Sequence, residues 1–228
     1  MFAYIPARGG SKRLPGKNIR ELDGEPVIGH VLRNLAGLSF ISNVHVSTDD
    51  QQIRSIAESY GAICLEPRQQ TLADEKSGFA DLISDDLPRY VEYNDGDEEV
   101  LFVLATAALV PPRIFREAHD MYVDRNPEIL MSCEPYQEPI WWALTKSEED
   151  FWSPLYPDKV TVNSQDLPVT ITDSGLFYFF NRATMEKYDC HKNAKRLLPY
   201  FVPFEYRIDI NTQDDWDLLE WKYARLKK

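Results

Sequence analysis

Residues 1–18 read MFAYIPARGGSKRLPGKN. A short apolar run, residues 4–7, stops abruptly at Arg8-Gly9-Gly10, which reads as a strand ending in a loop. Working outward, Glu25-Pro26 opens a helical pattern through Val27, Ile28, Val31, Leu32 and Leu35, with Pro26 in the first turn. Residues 43–47 read as a second strand. Asp49-Asp50 then stands where it can cap a helix carrying Ile53, Ile56 and Ala57. Residues 62–65 read as a third strand. Residues 78–93 read as helix, kinked or shortened by Pro88. Residues 100–105 are an unbroken apolar run, as suits a fully buried central strand. Pro111-Pro112 starts a helix to about Val123, and residues 129–133 follow as strand.

Strands alternating with helices at this spacing predict an α/β fold with a doubly wound, mostly parallel sheet. Ligands on such sheets sit at the carboxyl ends of the strands, where Arg8-Gly9-Gly10 falls. The rhythm breaks over residues 134–172, which are rich in Pro, Trp and Tyr without a helical period. This stretch reads as a protruding arm, a hairpin suited to pairing with a second subunit. The α/β rhythm returns with a strand at 175–180, a helix near 182–188, a late strand at 206–210 and a C-terminal helix at 214–226. The 228 residues suit one domain without a linker.

Composition limits the function. Net charge is −12, the wrong sign for a general nucleic-acid binder. Yet residues 8–20 hold five of the 25 basic residues and no acid. A positive island on an acidic protein suggests a small anionic ligand held in one cleft. No apolar run reaches the length of a membrane span. Residues 1–10 lack the charged start and long apolar centre of a secretory signal. Cys64, Cys133 and Cys190 are scattered and form no CxxC pair, so reduced thiols in a cytoplasm are expected. His30, His45, His119 and His191 do not fall at metal-ligand spacing.

Within the basic loop, Gly9 and Gly10 would let backbone N–H groups approach phosphate oxygens. Arg8 can grip phosphate with its planar fork, Lys17 can act as a mobile point charge, and Ser11 and Asn18 add neutral donors. The Walker A spacing and the GxGxxG pattern are both absent. A solvated basic turn after a strand is the plainer alternative.

Residues 5–18, IPARGGSKRLPGKN, resemble the IPARxGSKxxxxKN signature of the sialic acid cytidylyltransferase family. Five later segments resemble the same family, in order: Val46-Ser47-Thr48-Asp49-Asp50, Ala105-Thr106-Ala107, Ser164-Gln165-Asp166-Leu167-Pro168, Asp173-Ser174-Gly175-Leu176-Phe177-Tyr178, and Asp209-Ile210-Asn211-Thr212. The third and fourth are most similar to the pseudaminic acid branch.

The resemblance implies a Rossmann-like nucleotidyltransferase fold and a role in surface glycan or flagellin glycosylation, and the irregular segment 134–172 suggests a homodimer. It implies CTP and an acidic nonulosonic sugar as substrates, with Mg²⁺ as cofactor. The sugar's anomeric hydroxyl would attack the α-phosphate and pyrophosphate would leave. Arg8 and Lys17 become the catalytic cations, and Arg8, Gly9, Gly10, Ser11, Lys17, Asn18 and Thr106 the nucleotide contacts. Gln165 and Asp173 would meet the sugar, and Asp209 and Asn211 the metal.

Two departures stand out. Asn211 replaces a second aspartate of the family pattern, and Ala108 replaces a proline after the Thr106 turn. Sialic, legionaminic or keto-deoxy-octulosonic acid as the sugar, or a weakened nucleotide-binding homologue, are the alternatives. Trp141-Trp142 would serve dimer packing or, less plainly, a sugar platform.

Overall fold

A computed structural model of the chain describes residues 1–72, 78–187 and 190–227. Among these residues, six strands form the central sheet: β1 (Phe2–Pro6), β2 (Val44–Ser47), β3 (Glu99–Val103), β4 (Ile129–Pro135), β5 (Ile171–Asn181) and β6 (Leu197–Phe201). Their order is β6-β4-β5-β3-β1-β2. The pairs β1–β2, β1–β3 and β4–β6 are parallel, whereas β5 runs antiparallel to both of its neighbours. The main helices are α1 (Val27–Leu35), α2 (Gln51–Ser59), α3 (Leu87–Tyr93), α4 (Pro112–Arg125), α5 (Arg182–Lys187) and α6 (Gln213–Leu226). No helix among the described residues is long and apolar enough to cross a membrane.

Helices cover both faces of the sheet, as the strand patterns require. Ala3 and Ile5 of β1, Leu101 and Val103 of β3, and Phe177 and Phe179 of β5 share one core with α1, α4 and α6. The alternate residues Phe2, Tyr4, Val100, Phe102, Tyr178 and Phe180 share the other with α3 and Met185 of α5. Period-two alternation with both faces apolar is the signature of a strand buried on both sides.

The direction of β5 follows from its connection. A parallel return needs a crossover long enough to carry the chain back along the sheet. Between β4 and β5 the chain makes no such helix. It forms a short hairpin, Leu144–Lys146 against Trp152–Pro154, that pairs with itself and not with the sheet. The chain therefore re-enters from the edge it left. The predicted excursion at 134–172 is present as this projection, although β4 extends to Pro135 and β5 already begins at Ile171.

Several boundaries differ from the sequence expectation. The predicted strand at 62–65 contributes a single bridge, Ile63 to His45. Pro26 precedes α1 instead of lying in its first turn, because Glu25–Pro26 pairs with Glu21–Leu22 across the tight turn Asp23-Gly24. The predicted helix at 78–93 forms, with a π turn at Leu82–Asp86 just ahead of Pro88. Pro88 then falls in the first turn of α3, where its missing N–H costs nothing. The end of the predicted helix near residue 188 lies outside the described residues.

The late strand is the main correction. It is Leu197–Phe201, not 206–210. Ile208 and Ile210 are buried beside exposed Asp209, so the period-two pattern is real. Lysines take the place of a partner strand: Lys17 Nζ donates to Ile210 O at 2.7 Å and Lys222 Nζ to Arg207 O at 2.6 Å.

Candidate active site

The order of the sheet sends β2 to one side of β1 and β3 to the other. That reversal opens a crevice at the carboxyl ends of β1 and β3, the usual ligand position in such folds. A cavity of about 370 Å³ lies there, lined by Pro6 at the end of β1 and by Leu104, Ala105 and Thr106 after β3.

One half of this cavity is basic. Arg8, Ser11, Lys12, Arg13, Lys17 and Asn18 line it, with Asp209 and Asn211 opposite. The loop that carries the cations is held from within. Leu14 is buried as its anchor, and Gly16 takes a positive φ of 67° that turns the chain toward Lys17. Asn18 is 6% exposed and joins the two ends of the loop: its Nδ2 donates to Arg8 O at 3.0 Å, and its carbonyl accepts Ile28 N at 3.0 Å. Asn18 thus lines the cavity but spends these groups on bracing the loop.

The two glycines divide. The Gly9 N–H donates to Asp49 Oδ1 at 3.0 Å, and a Cβ at Gly9 would stand 2.5 Å from Asp50 Oδ2. Gly9 is therefore a close-approach glycine against the 49–50 turn, and its N–H does not face the cavity unpaired. Gly10 is exposed with open space around it, and neither glycine lines the cavity. Of the two aspartates predicted to cap α2, Asp50 does so, accepting from Gln52 N at 2.8 Å and Ile53 N at 3.0 Å.

The loop is fastened to the far end of the chain. Besides Lys17 on Ile210 O, Arg13 Nη2 donates to Asn211 Oδ1 at 2.6 Å and Arg20 Nη1 to Gln213 Oε1 at 2.8 Å. Arg20 also lies 4.3 Å over the Trp216 ring. Asn211 Nδ2 donates in turn to Asp209 Oδ2 at 2.6 Å. Burial lowers the pKa of Lys17; Asp209 opposes that shift, while Arg13 and Arg8 add to it. Thr212 caps α6 in a capping box with Asp215.

The other half of the cavity is apolar, walled by Leu72, Phe79, Leu82, Phe102 and Leu104. Arg68 stands at its floor, 5% exposed. Its Nε donates to Ser47 Oγ at 2.9 Å, and its Nη2 to Ser47 O. Ser47 Oγ reaches buried Asp86 at 2.5 Å, which also accepts from Tyr4 OH and Arg89. Neither Arg68 nor Asp86 was singled out from the sequence. The one signal was position, since Pro67-Arg68 follows the apolar stretch at 62–65 and so faces the carboxyl edge.

A second cavity, about 520 Å³, adjoins the first and shares Gly175 and Asp209 with it. Asp173 lines it, but its carboxylate is already engaged: Gly175 N donates to Oδ1 at 2.8 Å and Tyr178 OH to Oδ2 at 2.5 Å. Burial and Asp173 together push the Tyr178 phenol upward. Gln165 is exposed in the Ser164–Asp166 turn of the projection and lines neither cavity. Trp141 packs edge-on to Tyr156 and donates to Pro168 O at 2.9 Å, so it knits the projection together. Among the described residues no cluster of three or more His, Cys, Asp or Glu could hold a metal ion.

A family model described as cytidylyltransferase matches residues 2–135. A pseudaminic acid cytidylyltransferase of Campylobacter jejuni is 27% identical over 223 residues, 97% of this chain and 95% of that one. A CMP-N,N'-diacetyllegionaminic acid synthase of Legionella pneumophila is 26% identical over 220 residues, 96% and 94% of the two chains. Among solved structures, a CMP:2-keto-3-deoxy-manno-octonic acid synthetase complexed with CTP superposes with a TM-score of 0.69 at 17% identity, covering 98% of each chain. A 4-diphosphocytidyl-2C-methyl-D-erythritol synthase gives 0.68 at 12% identity over 97% and 98%. At those identities the structural likeness concerns the fold.

Proposed function

The chain belongs to the cytidylyltransferase family, and from that membership we propose that it transfers CMP from CTP to an acidic nonulosonic sugar, pseudaminic acid or a close relative, releasing pyrophosphate. The observation that carries this reading is the basic half-cavity: four loop cations, Arg8, Lys12, Arg13 and Lys17, face a single lining carboxylate, Asp209. That charge suits a triphosphate. The adjoining apolar half, with Thr106 and Arg68, suits a flat base with polar edges.

In this reading Arg8 and Lys17 stabilise the charge that grows on the phosphoryl and leaving oxygens as the sugar hydroxyl attacks the α-phosphorus. Lys17 is held ready by Ile210 O and stands in the field of Asp209. Ser11 adds a donor at the cavity wall. Gly9 and Asn18 act through the shape of the loop.

The family pattern implies Mg²⁺, a hard cation that takes carboxylate and phosphate oxygens together. Asp209 fits that demand, since it is exposed and lines both cavities. Asn211 fits less well, because its amide oxygen is engaged by Arg13. Bound there, the metal would neutralise phosphate charge during transfer. The residues' own contribution is to hold Asp209 in place, through Asn211 Nδ2, at the junction of the two cavities.

The choice of sugar rests on relatives that name different acids at similar identity: pseudaminic, legionaminic and N-acylneuraminic. The test is incubation with CTP, Mg²⁺ and a panel of nonulosonic and keto-deoxy-octulosonic acids, with the CMP-sugar detected by mass. Product with one acid assigns the substrate. CTP binding without product on any acid favours a weakened nucleotide-binding homologue. A cytoplasmic setting belongs to the same reading.

A homodimer is part of the proposal, joined through the projection, whose Leu144, Phe151 and Trp152 are exposed. Sedimentation of the wild type beside Phe151→Asp/Trp152→Asp checks it. A wild-type monomer would refute it.

A further inference from the structure

Beneath the apolar half of the first cavity lies a buried carboxylate. Asp86 is 1% exposed and closes the π turn Leu82–Asp86, whose first residue, Leu82, walls the cavity. Such turns are rare in helices and frequently mark functional sites. Asp86 itself does not line the cavity, and its oxygens are fully engaged. Tyr4 OH and Ser47 Oγ donate to Oδ2, the second at 2.5 Å. Arg89 pairs with Oδ1, its Nε at 2.9 Å and its Nη2 at 2.6 Å. Burial and the Asp86 charge raise the Tyr4 pKa, so the phenol keeps its proton and donates.

One of these donors leads to the cavity floor. Ser47 is the last residue of β2, fully buried, and its carbonyl accepts Ala7 N at 2.9 Å. A carboxylate can only accept, so the Ser47 hydroxyl spends its single proton on Asp86. Its lone pairs are left to Arg68, whose Nε donates to Oγ at 2.9 Å while Nη2 donates to Ser47 O. The Arg68 backbone N–H meets Thr48 O at 2.9 Å, which fixes the base of the side chain as well. That leaves the Nη1 end of the planar group for the cavity that Arg68 lines.

The charge balance explains why the carboxylate is there. Arg68 is 5% exposed, and both of its side-chain bonds go to a neutral serine. A buried cation with no opposite charge nearby is costly. Asp86 supplies that charge from one hydroxyl away. Arg68 lowers the Tyr4 pKa against the larger effects of burial and Asp86, so guanidinium, phenol and carboxylate form one electrostatic unit.

We propose that Asp86 is a positioning residue: acting through the Ser47 hydroxyl, it fixes the orientation of Arg68 at the cavity floor and so sharpens the choice between cytosine and uracil. The inference rests on the nucleotide reading above, in which the apolar half takes the base. Cytosine presents two adjacent acceptors, O2 and N3. In uracil N3 carries a proton and is itself a donor. A guanidinium held in one orientation tells the two apart, whereas one free to swing follows O2 alone, which both bases share.

The test measures kcat/KM for CTP and for UTP, with the sugar acid that wild type uses best. It compares wild type, Asp86→Asn, Ser47→Ala, Arg68→Met and the two double variants that carry Arg68→Met. Asp86→Asn keeps the shape but places a donor where Asp86 only accepts. The CTP-to-UTP ratio is read on one preparation, so any loss of folded protein cancels. The ratio should fall on the order of 10-fold in Asp86→Asn and in Ser47→Ala, the scale of one hydrogen bond to a charged group. Neither change should lower it further in the Arg68→Met background. An unchanged ratio in the single variants, or the same fall with Arg68 already removed, overturns the assignment. If Asp86→Asn does not fold, Ser47→Ala, which leaves the Asp86–Arg89 pair in place, decides alone. Calorimetric affinities for CTP and UTP separate this inference from the reading beneath it. An Asp86-dependent preference for CTP without turnover keeps the positioning role and removes transfer. Turnover with an Asp86-independent ratio does the reverse. Neither nucleotide binding nor turnover overturns both.

Discussion

Gly9→Ala tests whether the first glycine serves packing or phosphate contact. A Cβ at Gly9 would lie 2.5 Å from Asp50 Oδ2 and 2.8 Å from Asp50 Cβ. Real Cβ atoms do not approach so closely, so Asp50 must move. Asp50 is the N-cap of α2, and moving it weakens its bonds to Gln52 N and Ile53 N. Losing such a cap costs about 1 kcal/mol. The displaced turn also strains the Gly9–Asp49 bond, worth about another 1 kcal/mol. The sum, about 2 kcal/mol, lowers Tm by roughly 4–8 °C in a chain of this size. Urea and thermal unfolding would be measured in a double-mutant cycle with Asp50→Gly. Glycine is a tolerable cap, costing only about a few tenths of a kcal/mol, and it removes the atoms that Gly9→Ala would hit. Gly9→Ala should therefore be nearly silent in the Asp50→Gly background. An equal cost in both backgrounds would refute the packing argument. Gly10→Ala, with nothing within 4 Å of its Cβ, should stay within about 0.5 kcal/mol of wild type throughout.

Three further outcomes are expected. Lys17→Ala should lower turnover more than about 100-fold, on the order of 3 kcal/mol as for removal of one oxyanion donor. In wild type the rate should fall on the alkaline side earlier than the ordinary lysine value of 10.5 predicts, because burial lowers the Lys17 pKa; near-normal turnover in the alanine variant would sink the assignment. Asn211→Asp should exchange the Arg13 hydrogen bond for an ion pair and set a second carboxylate beside Asp209, raising apparent Mg²⁺ affinity about tenfold, or 1.4 kcal/mol. Activity titrated with Mg²⁺ checks this, and no gain counts against a metal at this end of the cavity. Finally, burial lowers the pKa of His45 below 6.5, so the unfolded chain takes up the proton first. The stability contributed by neutral His45 is complete above pH 6.5 and is lost as pH falls through the folded value. The drop in urea midpoint between pH 7.5 and 5.5 should shrink in His45→Gln, and an unchanged drop would exclude His45 as its source.

The sheet was largely legible because its strands alternate toward two apolar faces, and that pattern is local. Two features were not. The strand Leu197–Phe201 contains Pro199, which argues against a strand in sequence, yet it pairs on one side only and an edge strand tolerates proline. The segment 206–210 alternates like a strand, but two lysines satisfy its carbonyls where a neighbour would.

The basic loop was readable from its own residues: glycines, cations and their position after an apolar strand are all contained within 15 residues of chain. What each group does was not, since the partners are distant. Gly9 answers to Asp49 and Asp50, Lys17 to Ile210 and Arg13 to Asn211, the last two across more than 190 residues. Arg68 gave no signal beyond its place after the apolar stretch at 62–65, because a buried arginine looks like a surface one until its partners are known. Sequence by itself determined the alternating architecture, the family and the basic character of the first loop, which depend on composition and short-range order. Only the tertiary structure decided which donors are already engaged and which face a cavity. Hydrogen-bond partners are chosen by proximity in space, and here folding brings the two ends of the chain to one crevice.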